Sequence, residues 1–168
     1  PTGNLREPKT GAKRANIIIV TKCPINLDEV EKSTIISRLK PHYKQEVFFS
    51  TIKYSETIFS SQTKKCLIDI KDNKFTLVTA IANPKPLLNF LDGCGYNYEH
   101  LNFKDHHVFS ESELKFLNSK PLILTTEKDY TRLKDTINDD RLFYLPIEIE
   151  ISNKEKFDNL IIKYISIS

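Results

Sequence analysis

The run Asn16-Ile17-Ile18-Ile19-Val20-Thr21-Lys22 constrains the fold more than any other stretch of the chain. Five β-branched residues in succession, Ile17 to Thr21, disfavour a helix, because each loses rotamer freedom against the preceding turn. An apolar run with no polar alternate is the pattern of a strand buried on both faces, and such strands belong to parallel sheets covered by helices. The next segments keep to that architecture. Asp28 to Lys40 reads as a helix with Val30, Ile35, Ile36 and Leu39 near one face and Pro41 as its stop. Val47 to Tyr54 reads as the next strand, so the chain begins β-α-β, after a short helical segment at Ala12 to Ala15.

Further on, the polar stretch Ser55 to Thr63 reads as a loop or boundary. Two candidate strands, Cys66 to Ile70 and Phe75 to Ile81, flank Lys71-Asp72-Asn73-Lys74 and are expected to form a β-hairpin between two lobes. Ala82-Asn83-Pro84 turns into a helix, Pro84 to Leu91, stopped by Gly93 and Gly95. Tyr96 to Phe103 is the next expected strand and Glu111 to Leu117 the next helix, followed by a short buried strand at Leu122 to Thr125. A helix capped by Thr126, a strand at Arg141 to Leu145, alternating Ile147, Ile149 and Ile151, and a closing helix from Asn153 to Ile165 complete the chain.

Chemistry is expected at Asp105-His106-His107. Ser110 and Glu113 have the spacing of a capping box, so this triplet occupies the turn between a strand's carboxyl end and a helix start, where open α/β sheets place their ligands. A histidine beside a carboxylate suits proton handling near neutral pH. A polar loop with solvated histidines would be written with the same residues. Lys128 and Arg132, one helical turn apart just after another strand, can hold phosphates or form a solvated face.

Several functions are disfavoured. The net charge of +3 is spread over lysines that are neither clustered nor interleaved with aromatic residues, so nucleic-acid binding is not expected. Three cysteines without a CxxC spacing indicate neither a disulfide framework nor a zinc site. A metal-dependent phosphoesterase would need spaced aspartates, and no Asp-x-Asp occurs. No apolar run approaches the roughly 18 residues of a membrane span, so any membrane contact is expected to be peripheral or to use a part outside this sequence. The turn-forming opening Pro1-Thr2-Gly3-Asn4-Leu5-Arg6-Glu7-Pro8 reads as an internal loop, which suggests a piece of a longer protein.

Five stretches, in order, resemble one family. They are Leu5-Arg6-Glu7-Pro8, Val20-Thr21-Lys22-Cys23-Pro24, Ile81-Ala82-Asn83-Pro84, Phe103-Lys104-Asp105-His106-His107-Val108-Phe109, and Thr125-Thr126-Glu127-Lys128-Asp129 with Arg132-Leu133. Their order and spacing are similar to the tetraacyldisaccharide 4'-kinases of lipid A biosynthesis. The resemblance implies transfer of the ATP γ-phosphoryl group, with Mg2+, to the 4'-hydroxyl of an acylated glucosamine disaccharide 1-phosphate. It places the reaction at the cytoplasmic face of the bacterial inner membrane. It also implies an α/β, P-loop kinase-like fold, mostly parallel sheet flanked by helices, with a β-hairpin linker between two lobes. Residues 1–63 would then be the remainder of the amino-terminal P-loop lobe, 64–81 the linker and 82–168 the carboxyl-terminal lobe.

The family's glycine-rich phosphate loop and magnesium-binding acidic residues precede its Leu-Arg-Glu-Pro stretch. With only four glycines, this chain contains no GxxxxGK[ST], so it resembles the carboxyl-terminal half and is expected to be inactive alone. The resemblance makes His106 catalytic, with Asp105 orienting it. His107, Lys128, Arg132 and Arg6 are assigned to substrate or phosphate, Thr21 and Lys22 to the nucleotide, and no residue to a metal. Family members carry Gly where Ala80 and Ala82 stand, which puts close backbone approach to a ligand in question. The competing expectation is a non-catalytic nucleotide- or partner-binding α/β domain in which Asp105 and His106 are structural.

Overall fold

In a computed structural model, residues 9–137 and 140–166 of the chain are described. After a 3-10 segment, Lys9–Arg14, the β-branched run forms strand β1 (Ile17–Cys23). Helix α1 (Glu29–Leu39) follows, and then strand β2 (Glu46–Tyr54), which pairs in parallel with β1. A reciprocal box starts α1: Asp28 accepts from the Glu31 amide at 2.7 Å and Glu31 accepts from the Asp28 amide at 3.1 Å. Lys40, left-handed at φ 48°, ends it before Pro41. The two-sided burial expected of β1 belongs instead to β2, where Phe48, Phe49 and Ser50 are buried. Ile19 in β1 is 41% exposed, and α1 contributes no buried residue.

The polar stretch expected to be a loop holds the first strand and the turn of a hairpin, formed by β3 (Thr57–Phe59) and β4 (Lys64–Cys66) in antiparallel register. Ser60 and Thr63 close its turn through a 2.8 Å backbone bond. The hairpin expected over 66–81 is not formed. Leu67–Ile70 is a 3-10 turn, because the chain buries Leu67 and Ile70, three residues apart, and leaves Ile68 60% exposed. A strand would have put Ile68 and Ile70 on one face. The segment after it, β5 (Phe75–Thr79), is buried at all five positions and is a central strand.

The chain then alternates regularly: α2 (Lys85–Gly93), β6 (Tyr98–Asn102), α3 (Glu111–Asn118), β7 (Ile123–Thr126), α4 (Glu127–Leu133) and β8 (Leu142–Leu145). The six strands lie in the order β4-β3-β8-β7-β5-β6. The four strands from β8 to β6 run parallel, and β3 joins β8 antiparallel. Consecutive residues feed opposite faces. Leu77, Leu124 and Phe143 pack with Leu87 and Leu91 of α2, while Val78, Ile123 and Leu142 pack with Leu117 of α3 and Tyr130 and Leu133 of α4. That strict alternation gives a sheet covered by helices on both sides.

Strand β9 (Ile147–Ile151) and helix α5 (Lys154–Ser166) close the chain, and β9 is the third strand of the sheet β1-β2-β9. The described chain thus divides into two units, Tyr54–Glu148 and a first unit that runs to Lys53 and resumes at Ile149. This differs from the lobe boundaries expected at 63 and 82, and from the placing of residues 149–168 in the second lobe. The return is tied by the Ser152 amide donating to the Phe49 carbonyl at 2.8 Å, by Phe157 edge-on to Phe48 at 5.1 Å, and by Lys156 on Glu46 at 2.7 Å.

Candidate active site

In the second unit the chain leaves β5 toward β6 and leaves β7 toward β8, so the loops after these adjacent strands part in opposite directions. Helix α2 goes to one face and α4 to the other. Such a divergence opens a crevice at the carboxyl edge of a parallel sheet. The register pairs Thr79 with Asn102 and Val78 with Thr125, which brings the ends of β5, β6 and β7 level. The turn after β6 and the first turn of α4 therefore meet above β5.

Four expected residues gather there. Lys128 Nζ donates to Asp105 Oδ1 at 2.9 Å. That bond, aided by His106, holds the Asp105 carboxyl below the usual carboxylate range. Asp105 Oδ2 lies 3.7 Å from His106 Nε2, and Arg132 Nη2 lies 3.3 Å from His106 Nδ1. A guanidinium can only donate, so Nδ1 accepts and the neutral ring carries its proton on Nε2, facing Asp105. The His106 side chain is 71% exposed. Its backbone is left-handed, φ 61°, at the third position of a turn closed by the His107 amide on the Lys104 carbonyl at 3.0 Å.

His107 is not part of this group. Its Nε2 meets both Glu113 oxygens at 3.0 and 3.1 Å, and its ring stacks on Phe103 at 4.8 Å and stands edge-on to Phe109 at 5.2 Å. The Ser110 amide, and then His107, press the Glu113 carboxyl down to about 2. Thr21 and Lys22 belong to the first unit, where Lys22 adopts φ 59° beside a register slip between Val20 and Cys23. Arg6, with the whole Leu5-Arg6-Glu7-Pro8 stretch, lies outside the described residues. Among the described residues no three His, Cys, Asp or Glu side chains gather to hold a metal ion.

The model of the tetraacyldisaccharide-1-P 4'-kinase family matches residues 1–166. The chain belongs to that family. It is 43% identical to the tetraacyldisaccharide 4'-kinase of Flavobacterium johnsoniae over 98% of its own length and 49% of that protein's. To the enzyme of the same name from Flavobacterium psychrophilum it is 41% identical, over 100% of the chain and 50% of the relative. The chain thus spans about half the length of the curated relatives it matches. A crystal structure of LpxK from Aquifex aeolicus in complex with ATP aligns with a TM-score of 0.66 at 20% identity, over 97% of this chain and 47% of that one. The α/β fold is accordingly the P-loop kinase-like fold of that protein.

Ala80 and Ala82, on either side of Ile81, behave differently. Ala80 is fully buried and its amide donates to Asp129 Oδ2 at 2.9 Å, whereas Ala82 is exposed. Only the Ala82 methyl stands where something approaching the turn from solvent would meet it. The residue that sequence reasoning passed over is Asp129, buried completely beneath the cluster. Its signal was the spacing Thr126-x-x-Asp129, a cap pattern in which Thr126 Oγ1 accepts from the Asp129 amide at 3.2 Å.

Proposed function

We propose that this chain is the carboxyl-terminal half of a tetraacyldisaccharide 4'-kinase and supplies the acceptor side of phosphoryl transfer. The observation that carries the proposal is the convergence of Asp105, His106, Lys128 and Arg132 at the switch point of the second unit's sheet. Phosphoryl transfer asks a protein to position the acceptor, neutralise charge and exclude water. His106 Nδ1 is the unprotonated nitrogen and faces only a long hydrogen bond. An acceptor 4'-hydroxyl taking the place of Arg132 Nη2 would pass its proton to Nδ1. The Nε2–H, held toward Asp105, keeps the resulting imidazolium beside a carboxylate. The displaced guanidinium and Lys128 are then two cations that this chain keeps beside the acceptor.

The acceptor in this reading is an acylated glucosamine disaccharide 1-phosphate, met peripherally at the cytoplasmic face of the bacterial inner membrane. No helix among the described residues is long and apolar enough to cross a membrane. ATP and its Mg2+ are assigned mainly to residues outside this chain, with Thr21 and Lys22 at the nucleotide and Arg6 toward phosphate. The first unit is the remainder of the P-loop lobe, and its open faces support this. Strand β1 sits at an edge, and Ile19, Val30, Ile162 and Ile165 are exposed. The other half of the family's length is the segment that would cover them.

The test is ATP-dependent phosphorylation of tetraacyldisaccharide 1-phosphate by the complete protein, with the product's 4'-phosphate identified by mass spectrometry and NMR. Activity there, and none from the 168-residue chain alone, is the expected pair of results. An inactive complete protein would refute the activity, and turnover by this chain alone would refute its reading as a half.

A further inference from the structure

We propose that Asp129 is a positioning residue for this reaction, which holds the Arg132 guanidinium against His106 and ties it to the turn after β5. The inference rests on His106 being the base. Asp129 is 0% exposed. Its Oδ2 is fully engaged, accepting from the Ala80 amide at 2.9 Å and from Thr126 Oγ1 at 2.8 Å. Those two bonds join the loops of β5 and β7, the strands that flank the crevice. They would satisfy a carboxylate whose task was only structural, and an asparagine oxygen could accept both.

Its other oxygen does something else. Oδ1 is buried without a hydrogen bond and faces Arg132 Nη1 at 3.7 Å, which is likewise buried without one. A buried carboxylate away from water needs a compensating charge. Arg132, one turn along α4, provides it from within the protein and reaches His106 Nδ1 with its other amino group. The guanidinium therefore has an inner end fixed by charge and an outer end that sets which imidazole nitrogen is free of a proton. Loss of the Asp129 charge releases the inner end, and Arg132 then has no reason to stay on His106 rather than extend into water.

The experiment uses the complete enzyme with 15N-labelled histidine, comparing wild type, Asp129→Asn, Arg132→Lys, the double variant and His106→Ala. Expected for Asp129→Asn are a kcat lowered about tenfold or more, since small displacements of a catalytic group are costly, and an unchanged KM for ATP. The His106 nitrogens should pass from one tautomer, protonated at Nε2, to a mixture. The double variant should be no slower than Arg132→Lys, because both act through one guanidinium. A lower Tm with wild-type kcat and an unchanged His106 tautomer would make Asp129 merely structural and overturn the proposal. Should Asp129→Asn not fold, Arg132→Gln replaces it: an unchanged tautomer and rate there overturn the proposal equally. An active His106→Ala would instead refute the base assignment itself, while an inactive one beside a wild-type Asp129→Asn would refute the inference alone.

Discussion

His106 is the residue at which stability and chemistry should separate most cleanly. Its side chain is 71% exposed and makes one long contact to Arg132 at 3.3 Å and one charge pairing to Asp105 at 3.7 Å, so truncation forfeits little packing. Its backbone, however, is held at φ 61°, a region that costs a non-glycine residue about 1–2 kcal/mol. Glycine adopts that conformation freely but loses roughly 0.5–1 kcal/mol more in unfolded-chain entropy than alanine. His106→Gly should therefore be more stable than His106→Ala by about 0.5–1 kcal/mol, a Tm difference of a few degrees. Both variants should lose about 10²–10⁴ in kcat, the range supplied by general acid–base catalysis, with KM for ATP little changed. The assays are thermal unfolding and steady-state kinetics on the complete enzyme. A glycine variant less stable than the alanine variant would mean that the turn is not left-handed in the working protein. A kcat within about tenfold of wild type in either variant would remove His106 from the chemistry.

His107→Ala should show the opposite pattern. It loses a stacked and an edge-on aromatic contact, each about 0.5–1.5 kcal/mol, so the urea midpoint should fall at unchanged m while kcat of the folded enzyme stays within about threefold. A kcat loss matching that of His106→Ala would show that the wrong histidine has been assigned. Glu113 carries an acid dependence: its carboxyl lies at about 2, below its ordinary 4.5, because Ser110 and His107 bind the ionised form. The unfolded chain takes up that proton first, so the stabilisation is complete above about pH 4.5 and drains away as pH falls toward 2. Tm measured against pH should fall less steeply over that interval in Glu113→Gln than in wild type, and parallel curves would contradict the assignment.

Helices α1 and α3 were legible because their starts are written locally: Asp28 with Glu31 and Ser110 with Glu113 close their boxes within four residues. The five buried residues of β5 were equally legible as a strand, but not their partners, which come from Tyr98–Asn102 and Ile123–Thr125. Between Cys66 and Ile70 the apolar residues Leu67, Ile68 and Ile70 suit a spacing of two or of three. The choice fell to the core that receives Leu67 and Ile70, which no window of five residues contains. The alternation of Ile147, Ile149 and Ile151 marked a strand without revealing that it returns to β2, some hundred positions earlier.

At the site, the residue types were readable and their grouping was not. Lys128 meets Asp105 across 23 positions only because β6 and β7 lie on either side of β5, an arrangement set by where the crossovers go. The two histidines are chemically identical neighbours in sequence, and no pattern of apolar spacing separates them. The left-handed turn at His106 does so: it sends one ring out beside Asp105 and Arg132 and the next inward onto Phe103, Phe109 and Glu113. Asp129 was hidden for a different reason. Its cap role accounts for one oxygen, and a cap is all that the local sequence can express. The second oxygen acquires meaning only when α4 is seated with Arg132 beside it, so the residue that couples scaffold to chemistry shows itself through burial rather than through any motif.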